Sequence, residues 1–168
     1  MRRLLMILLL AVVLPAGSDG RARPEQGWLA GKLLVAAPSM PDPRFQQTVI
    51  FICEHDEHGA FGLILNRPLG DLPGHAVAEQ FGLGVRGSDT PIALHSGGPV
   101  EPGRGFVLHS DDYVSDDTGR VTPGFAYSVD LDLLTALVTD QGPERAMLIL
   151  GYAGWGPRQL AGELARDD

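Results

Sequence analysis

Glycine and proline are spread along the whole chain and limit the length of any regular element that it can form. The 168 residues include 22 Gly and 13 Pro. Proline fixes φ and lacks a backbone N–H, whereas glycine readily adopts the left-handed conformations found in tight turns. A helical bundle is therefore excluded, and we expect short strands and helices joined by many turns.

Apolar segments between these turns predict β-strands. Residues 48–53 are β-branched, aromatic and continuously apolar, which favours a strand buried on both faces. A charged turn ending at Gly59 separates this segment from the apolar residues 61–65, so the two are predicted to form a hairpin. Asn66-Arg67-Pro68 is predicted to end the strand and interrupt regular secondary structure. Further strands are predicted at 32–37, 91–94, 105–109, 125–129 and 146–152.

Three segments predict short helices. The first covers 75–81 and ends before Gly82. The second covers 131–139, with Asp130 as its N-cap. The third begins at Pro157 and carries Leu160 and Leu164 one turn apart on its buried face. Since strands and helices do not alternate strictly, the pattern indicates one domain with an α+β fold.

Residues 1–22 predict a cleaved secretory signal peptide. Arg2 and Arg3 precede an apolar run from Leu4 to Leu14, and small residues follow towards Ala22. This run is shorter than the ~20 apolar residues that span a bilayer. We therefore expect a periplasmic or secreted protein, with 23–168 as a single mature domain and no transmembrane segment. The alternative is a mis-assigned start codon, which would make the chain cytoplasmic.

The net negative charge of the chain limits which kinds of partner it can bind. The net charge is −8, from 13 basic and 21 acidic residues. Cleavage after Ala22 removes three Arg and one Asp, which leaves 10 and 20 and a net charge of −10. Nucleic-acid binding needs clustered Lys and Arg, whereas Lys32 is the only Lys. Direct nucleic-acid binding is therefore not expected, and the partner is a small ligand or protein that the sequence does not identify.

The six residues from Cys53 to His58 include every side-chain type that commonly binds zinc, so a metal site with Cys53, His55 and His58 is one alternative. Residues two apart in a strand project to the same side, so Cys53 and His55 could also act as nucleophile and base in a hydrolase. The structural alternative is a buried Cys beside a solvated turn. We favour it because the spacing matches no established zinc pattern and the adjacent carboxylates oppose thiolate formation. No cofactor is implied.

Glycine-rich segments follow two of the predicted strands, at 96–99 and 151–157. Glycine at these points permits close approach of the backbone to a ligand or to another segment of chain. Trp155 offers a face on which a flat ligand could stack, and Arg67 and Arg104 could hold an anion. The structural alternative is tight packing of a compact barrel, with Trp155 in its core.

Several motifs occur in a fixed order along the chain. They are GKLLVA at 31–36, DPxF at 42–45, residues 49–55, GAxGLxxNRP at 59–68, GGPV at 97–100, RGFVLH at 104–109, and residues 151–157 followed by Gln159-Leu160 and Glu163-Leu164. In this order they resemble the AlgH/YqgE family of bacterial proteins. The resemblance implies an α+β fold with a branched, mixed or antiparallel sheet curled into a pseudo-barrel and three to four short flanking helices. It implies no established activity, and the family's main label is transcriptional control of alginate production.

The sequence departs from that family at both ends. Family members usually lack a signal peptide and are taken to be cytosolic, so the leader weighs against a role in gene regulation. Relatives usually continue through an Asn-x-Trp segment, whereas this sequence ends at Asp168. Either the chain is naturally short or the sequence is truncated, and in either case we expect an exposed sheet edge or helix flank.

Together these observations favour a non-enzymatic domain that binds a ligand or a partner. Its candidate site consists of polar and turn residues at strand ends, where binding residues commonly lie. They are His55, Asn66, Arg67, Pro68, Gly97, Gly98, Pro99, Arg104, His109 and Trp155. The alternatives are a cytosolic regulator of gene expression, as the resemblance implies, and a hydrolase or metal site around Cys53 and His55.

Overall fold

The computed structural model describes residues 29–165, which form nine strands and three helices. The predicted signal peptide therefore lies outside the described residues. In chain order the elements are β1 (Leu33–Val35), β2 (Val49–Asp56), β3 (Gly59–Ile64), β4 (Pro68–Pro73), α1 (Gly74–Gln80), β5 (Pro91–Ser96), β6 (Val100–His109), β7 (Gly119–Thr122), β8 (Phe125–Ser128), α2 (Leu131–Val138), β9 (Ala146–Trp155) and α3 (Gln159–Leu164).

The sheet branches at β9, which pairs with three other strands. The first half of β9 lies antiparallel to β6 and parallel to β5, and its last three residues lie antiparallel to β3. The sheet continues from β3 to β2 and β1, and from β6 to β8 and β7, while β4 pairs with the free side of β5. This curled, branched sheet with three short helices confirms the predicted α+β fold.

The apolar core has three parts, each on a different face of the branched sheet. α1 and α2 cover the first part, which includes Val77, Leu133, Val138 and Leu148. The second part lies on the concave side of the curled sheet, which we call the inside of the curl, and includes Phe51, Leu63, Phe106 and Ile149. The third part lies under α3 and includes Ile50, Ile52, Ile64 and Leu160. The long continuous burial of β2 follows from this arrangement, since its two faces contribute to different parts.

The helices begin and end close to the predicted residues. Asp130 caps α2, because its side chain accepts a hydrogen bond of 2.8 Å from the backbone N–H of Asp132. α3 begins at Gln159 and not at Pro157, since Arg158 between them has a left-handed backbone with φ of 62°. Within residues 29–165, no helix has the length and apolar character needed to cross a membrane.

Three strands differ from the sequence-based expectation, and one of them, β7, lies where no strand was predicted. The chain bends at Asn66 and Arg67 as predicted, but Pro68 begins the strand β4. Proline is tolerated there because β4 is an edge strand with a partner on one side only. β6 begins at Val100 instead of Gly105, because an irregularity in its pairing with β9 separates these two residues.

Candidate functional site

A cleft of about 450 Å³ lies between α3 and the segment that joins β1 to β2. We call it the α3 cleft. Its volume falls within the range of roughly 300–1,000 Å³ that is typical of small-molecule sites. Apolar side chains and a few charged or polar groups line it together. They include Leu34, Ala36, Asp42, Arg44, Phe45, Ile50, Pro99, Val100, Trp155, Gln159, Leu160, Glu163 and Leu164.

The wall on the α3 side is held by a small hydrogen-bond network. The indole Nε1 of Trp155 donates to Oε2 of Glu163 over 2.7 Å. Nε2 of Gln159 donates to the other carboxylate oxygen over 2.9 Å, and the side-chain Oε1 of Gln159 accepts from the backbone N–H of Gly156. Leu160 anchors the helix from below, since it is buried at 1% exposure among the residues of β2 and β3. Trp155 is therefore fixed in orientation at the cleft.

The opposite wall is the segment that precedes β2, and it is held by the Asn66-Arg67 corner. Oδ1 of Asn66 accepts from the N–H of Val49 over 2.9 Å, and its Nδ2 donates to the carbonyl of Gln47 over 2.8 Å. Arg67 donates through Nη2 to the carbonyl of Gln46 over 2.8 Å. The side chains of Asn66 and Arg67 therefore bond to the chain itself and stabilise this wall from outside the cleft.

Gly97 and Gly98 lie where β5, β3 and β9 meet. Gly97 donates from its N–H to Leu150 over 2.7 Å and accepts from the N–H of Ile64 over 3.0 Å. A methyl group at Gly97 would overlap the carbonyl of Gly151, and one at Gly98 would overlap the carbonyl group of Tyr152. These glycines bring segments of the chain together, which was the structural alternative for them.

Two of the other candidates lie away from the cleft. Nη1 of Arg104 lies 3.2 Å from Oε2 of Glu101, and its guanidinium covers the ring of Phe106 at 5.3 Å. His109 is buried at the end of β6, and its Nδ1 lies 2.8 Å from the carbonyl oxygen of Ser110. Of the ten candidates, Pro99 and Trp155 line the α3 cleft, while the others occupy separate positions along the sheet.

The expectation that Cys53 and His55 share one side of a strand is wrong. The pairing of β2 with β3 shifts by one residue between Ile52 and Glu54, which is a β-bulge at Cys53. Cys53 packs inside the curl, and Glu54 accepts a hydrogen bond from Tyr127 on that same side. The ring of His55 faces the other way, and its Nδ1 accepts from the N–H of Leu29 over 3.2 Å.

The metal alternative finds no support in the part of the chain that the structure describes, because nowhere in it do three His, Cys, Asp or Glu side chains come together as metal ligands. His58 is solvent-exposed, with 84% of its side chain accessible, and its Nε2 lies 3.8 Å from Oε1 of Glu57. Cys53 is buried and reduced.

Cys53 is expected to be nearly inert towards thiol reagents in the folded protein. Burial, together with the adjacent carboxylate of Glu54, raises the pKa of this thiol to about 12. The thiolate is the reactive form, so we expect modification by a chromogenic disulfide reagent at pH 7.5 to be at least about 100-fold slower than in the denatured chain. Cys53→Ala supplies the blank because the chain has one Cys. Equal rates in the folded and denatured protein would contradict this expectation.

His109 is expected to make stability depend on pH. Burial lowers the pKa of His109 below its ordinary value of 6.5, although the Ser110 carbonyl and two nearby aspartates oppose the shift. As the pH falls, His109 is therefore protonated more readily in the unfolded chain than in the folded one. Its contribution to the free energy of unfolding is complete above pH 6.5 and decreases as the pH falls below that value. Urea unfolding at pH 7.5, 6.5 and 5.5 measures this decrease.

The matched variants are His109→Gln and His58→Gln. His109→Gln removes the buried imidazole and should reduce the dependence of the free energy of unfolding on pH below pH 6.5. His58→Gln removes an exposed imidazole and should leave that dependence unchanged. An identical slope in the His109→Gln protein would show that another group is responsible.

The polar residues of α3 that line the cleft are not among the site residues predicted from the sequence. Gln159 and Glu163 are four residues apart, so they lie on one side of the helix beside the Leu160-Leu164 pair. A charged residue beside an apolar stripe is common on solvated helices, and this spacing was the only signal available. The carboxylate of Glu163 is nevertheless the group that holds Trp155.

The branched, curled sheet with three short helices and a cleft beside the last helix defines a small α+β half-barrel domain. Known proteins share this fold and much of the sequence. The chain belongs to the AlgH-like family, whose family model matches residues 33–168. This confirms the resemblance stated from the motifs.

Relatives of known sequence and structure match most of the chain. A UPF0301 protein of Cereibacter sphaeroides is 45% identical over 141 residues, which cover 83% of this chain and 77% of that protein. A UPF0301 protein of Ruegeria pomeroyi is 48% identical over 140 residues, which cover 81% and 74%. The solution structure of the AlgH protein from Pseudomonas aeruginosa superposes with a TM-score of 0.70 at 39% identity, covering 83% of this chain and 74% of that one.

Proposed function

We propose that this chain is a non-enzymatic domain that binds a small ligand in the α3 cleft, and that it acts after export from the cytoplasm. The cleft itself is the observation that carries the proposal. It combines an apolar base with a few fixed polar groups, which is the usual composition of a ligand site. Trp155 provides the large face that the sequence suggested for stacking.

The two walls of the cleft are fixed by the protein's own hydrogen bonds. Glu163 holds the indole of Trp155, and Asn66 bonds to the backbone of Gln47 before β2 and of Val49 at its start. A site whose walls are already ordered loses less conformational entropy when a ligand binds. This supports a binding role for the cleft.

Catalysis by Cys53 is less well supported than binding. The thiol is buried inside the curl, and its raised pKa keeps it protonated at neutral pH. The β-bulge turns His55 to the opposite side of β2, so it does not act as a base for that thiol. The hydrolase alternative, with Cys53 as nucleophile and His55 as base, therefore lacks its base.

Binding can be measured through the fluorescence of Trp155. The chain has two Trp residues, so Trp28→Phe leaves Trp155 as the only indole. Titration with 1-hexanol and benzyl alcohol is expected to change its emission, with dissociation constants on the order of 1 mM for ligands of this size. No change with either probe would contradict the proposed site.

A filled cleft provides the control for site-specific binding. Ala36→Phe places a large ring at a residue that lines the cleft and should weaken probe binding about tenfold. Ala161→Phe makes the same change on the exposed side of α3 and should leave binding unchanged. Equal affinities in the two variants would place the probe somewhere other than the cleft.

Export rests on the basic start, the apolar run and the small residues in 1–22. Residues 1–30 fused to a reporter that is active only outside the cytoplasm should give activity. Replacing the apolar Leu8, Leu9 and Leu10 with Asn in the same fusion should abolish it, because the membrane-inserting core of the signal is then polar. A silent fusion of the unchanged residues would instead favour a cytosolic protein.

A further inference from the structure

The charges that line the α3 cleft do not cancel. The Asp42 carboxylate and the Arg44 guanidinium neutralise each other, since Nη2 of Arg44 lies 2.6 Å from Oδ2 of Asp42 and Nε lies 3.0 Å from Oδ1. The remaining ionisable group of the lining is the carboxylate of Glu163. The lining therefore carries a net negative charge.

The carboxylate of Glu163 is held by neutral groups. It accepts hydrogen bonds from the Trp155 indole and the Gln159 amide, which carry no formal charge. Among the residues that the structure describes, none of the ion pairs within 4.0 Å involves it; they join Arg44 to Asp42, His58 to Glu57, His75 to Asp89 and Arg104 to Glu101. A carboxylate oxygen has two lone pairs, so each one retains an acceptor position.

A neighbouring groove that is also lined by Trp155 adds negative charge near the α3 cleft. It shares Val100, Gly154 and Trp155 with the cleft, and its lining includes the carboxylates of Glu54 and Asp56. Trp155 therefore lines both the cleft that contains Glu163 and a groove that contains two carboxylates and His58. An indole face itself attracts cations through its quadrupole.

We propose that the ligand of the α3 cleft is a small organic cation, with an apolar body over Ile50 and Leu160 and an ammonium group at the Glu163 carboxylate and the Trp155 ring. This inference rests on the proposed binding function and names the chemical class of its ligand. An apolar body matches the buried base of the cleft, and a single positive charge matches the uncompensated carboxylate. An anionic ligand of the same size would meet repulsion at Glu163.

Two probes with the same alkyl chain, one with a cationic and one with a neutral head group, test the inference. Hexylammonium and 1-hexanol have the same alkyl chain, so the ratio of their dissociation constants isolates the contribution of the charge. In the Trp28→Phe protein, with Trp155 fluorescence as the signal, we expect hexylammonium to bind about tenfold more tightly than 1-hexanol. A hydrogen bond to a charged group contributes about enough free energy for this difference. Equal affinities, or tighter binding of 1-hexanol, would overturn the inference.

Glu163→Gln is the deciding variant. It keeps the shape of the side chain and an oxygen that accepts from Trp155, but it removes the charge, so the ratio of the two dissociation constants should fall from about ten to about one. Retained binding of 1-hexanol also shows that the variant is folded. Glu79→Gln removes an exposed charge on α1, outside the cleft lining, and should keep the preference.

The outcomes separate this inference from the proposed function. If 1-hexanol binds and hexylammonium has no advantage, the cleft is a ligand site but not one for cations. If the preference survives in the Glu163→Gln protein, another group recognises the charge and the inference is wrong. If neither probe binds, the proposed function fails together with the inference.

Discussion

Gly98→Ala is expected to lower the free energy of unfolding by about 3 kcal/mol or more, which is a large part of the stability of a domain of this size. Two separate costs add here. Gly98 has φ of 150°, a conformation that residues with a Cβ rarely adopt. Its added methyl group would also overlap the carbonyl group of Tyr152 in β9. Relief of the overlap would require β9 to move away from the other strands that meet there.

Urea denaturation followed by circular dichroism measures this loss. Gly103→Ala is the matched control, because Gly103 lies in the irregular part of β6 with no atom near the position of a new methyl group. We expect its effect to stay within about 0.5 kcal/mol. Similar midpoints for the two variants would mean that the junction of strands at Gly98 relaxes easily, contrary to the packing described.

Leu160→Ala is expected to cost about 3 kcal/mol and to weaken ligand binding as well. Leu160 is the only residue of α3 in the buried class, and it packs among Ile50, Ile52 and Ile64. Removal of such a side chain loses transfer free energy and leaves a cavity. Because α3 also carries Glu163, a weakened attachment of this helix should release the indole of Trp155 from its hydrogen bond.

The two effects of Leu160→Ala have separate measurements. Urea unfolding gives the loss of stability, and a red shift of Trp155 emission in the Trp28→Phe protein reports greater contact of the indole with water. Leu164→Ala, one turn along the same helix, removes a side chain that is 43% exposed and should cost less than about 1 kcal/mol. An unchanged emission spectrum in the folded Leu160→Ala protein would show that α3 stays in place without this contact.

The buried strands were predictable from the sequence, and the exposed strand β4 was not. Residues 48–53 lie between two parts of the core, so both faces select apolar residues and leave a continuous run. β4 lies at an edge and is mostly exposed, so it has no continuous apolar run. Its two prolines and its glycine are instead typical of a turn. The β-bulge at Cys53 left no signal in residue type, because it arises from one unpaired residue in the strand.

The cleft was predictable only in part. Trp155 and Pro99 were selected because they adjoin glycine-rich strand ends, and both line it. Its remaining lining comes from segments more than 100 residues apart, such as Ala36 and Glu163, and no local pattern reveals that they meet. Asn66 was selected for its polar side chain, but that side chain is bonded to the backbone of a neighbouring segment.

The position of β9 in the chain has a consequence for the order of folding. β9 joins β3, β5 and β6, yet it follows all the other strands of residues 29–165 in the sequence. Most of the sheet therefore lacks its central partner until the ribosome has added β9, and formation of the native core must wait for that strand. We expect the nascent chain to remain extended and open to chaperones for most of its synthesis, which is the form in which a polypeptide is threaded through a narrow translocation channel.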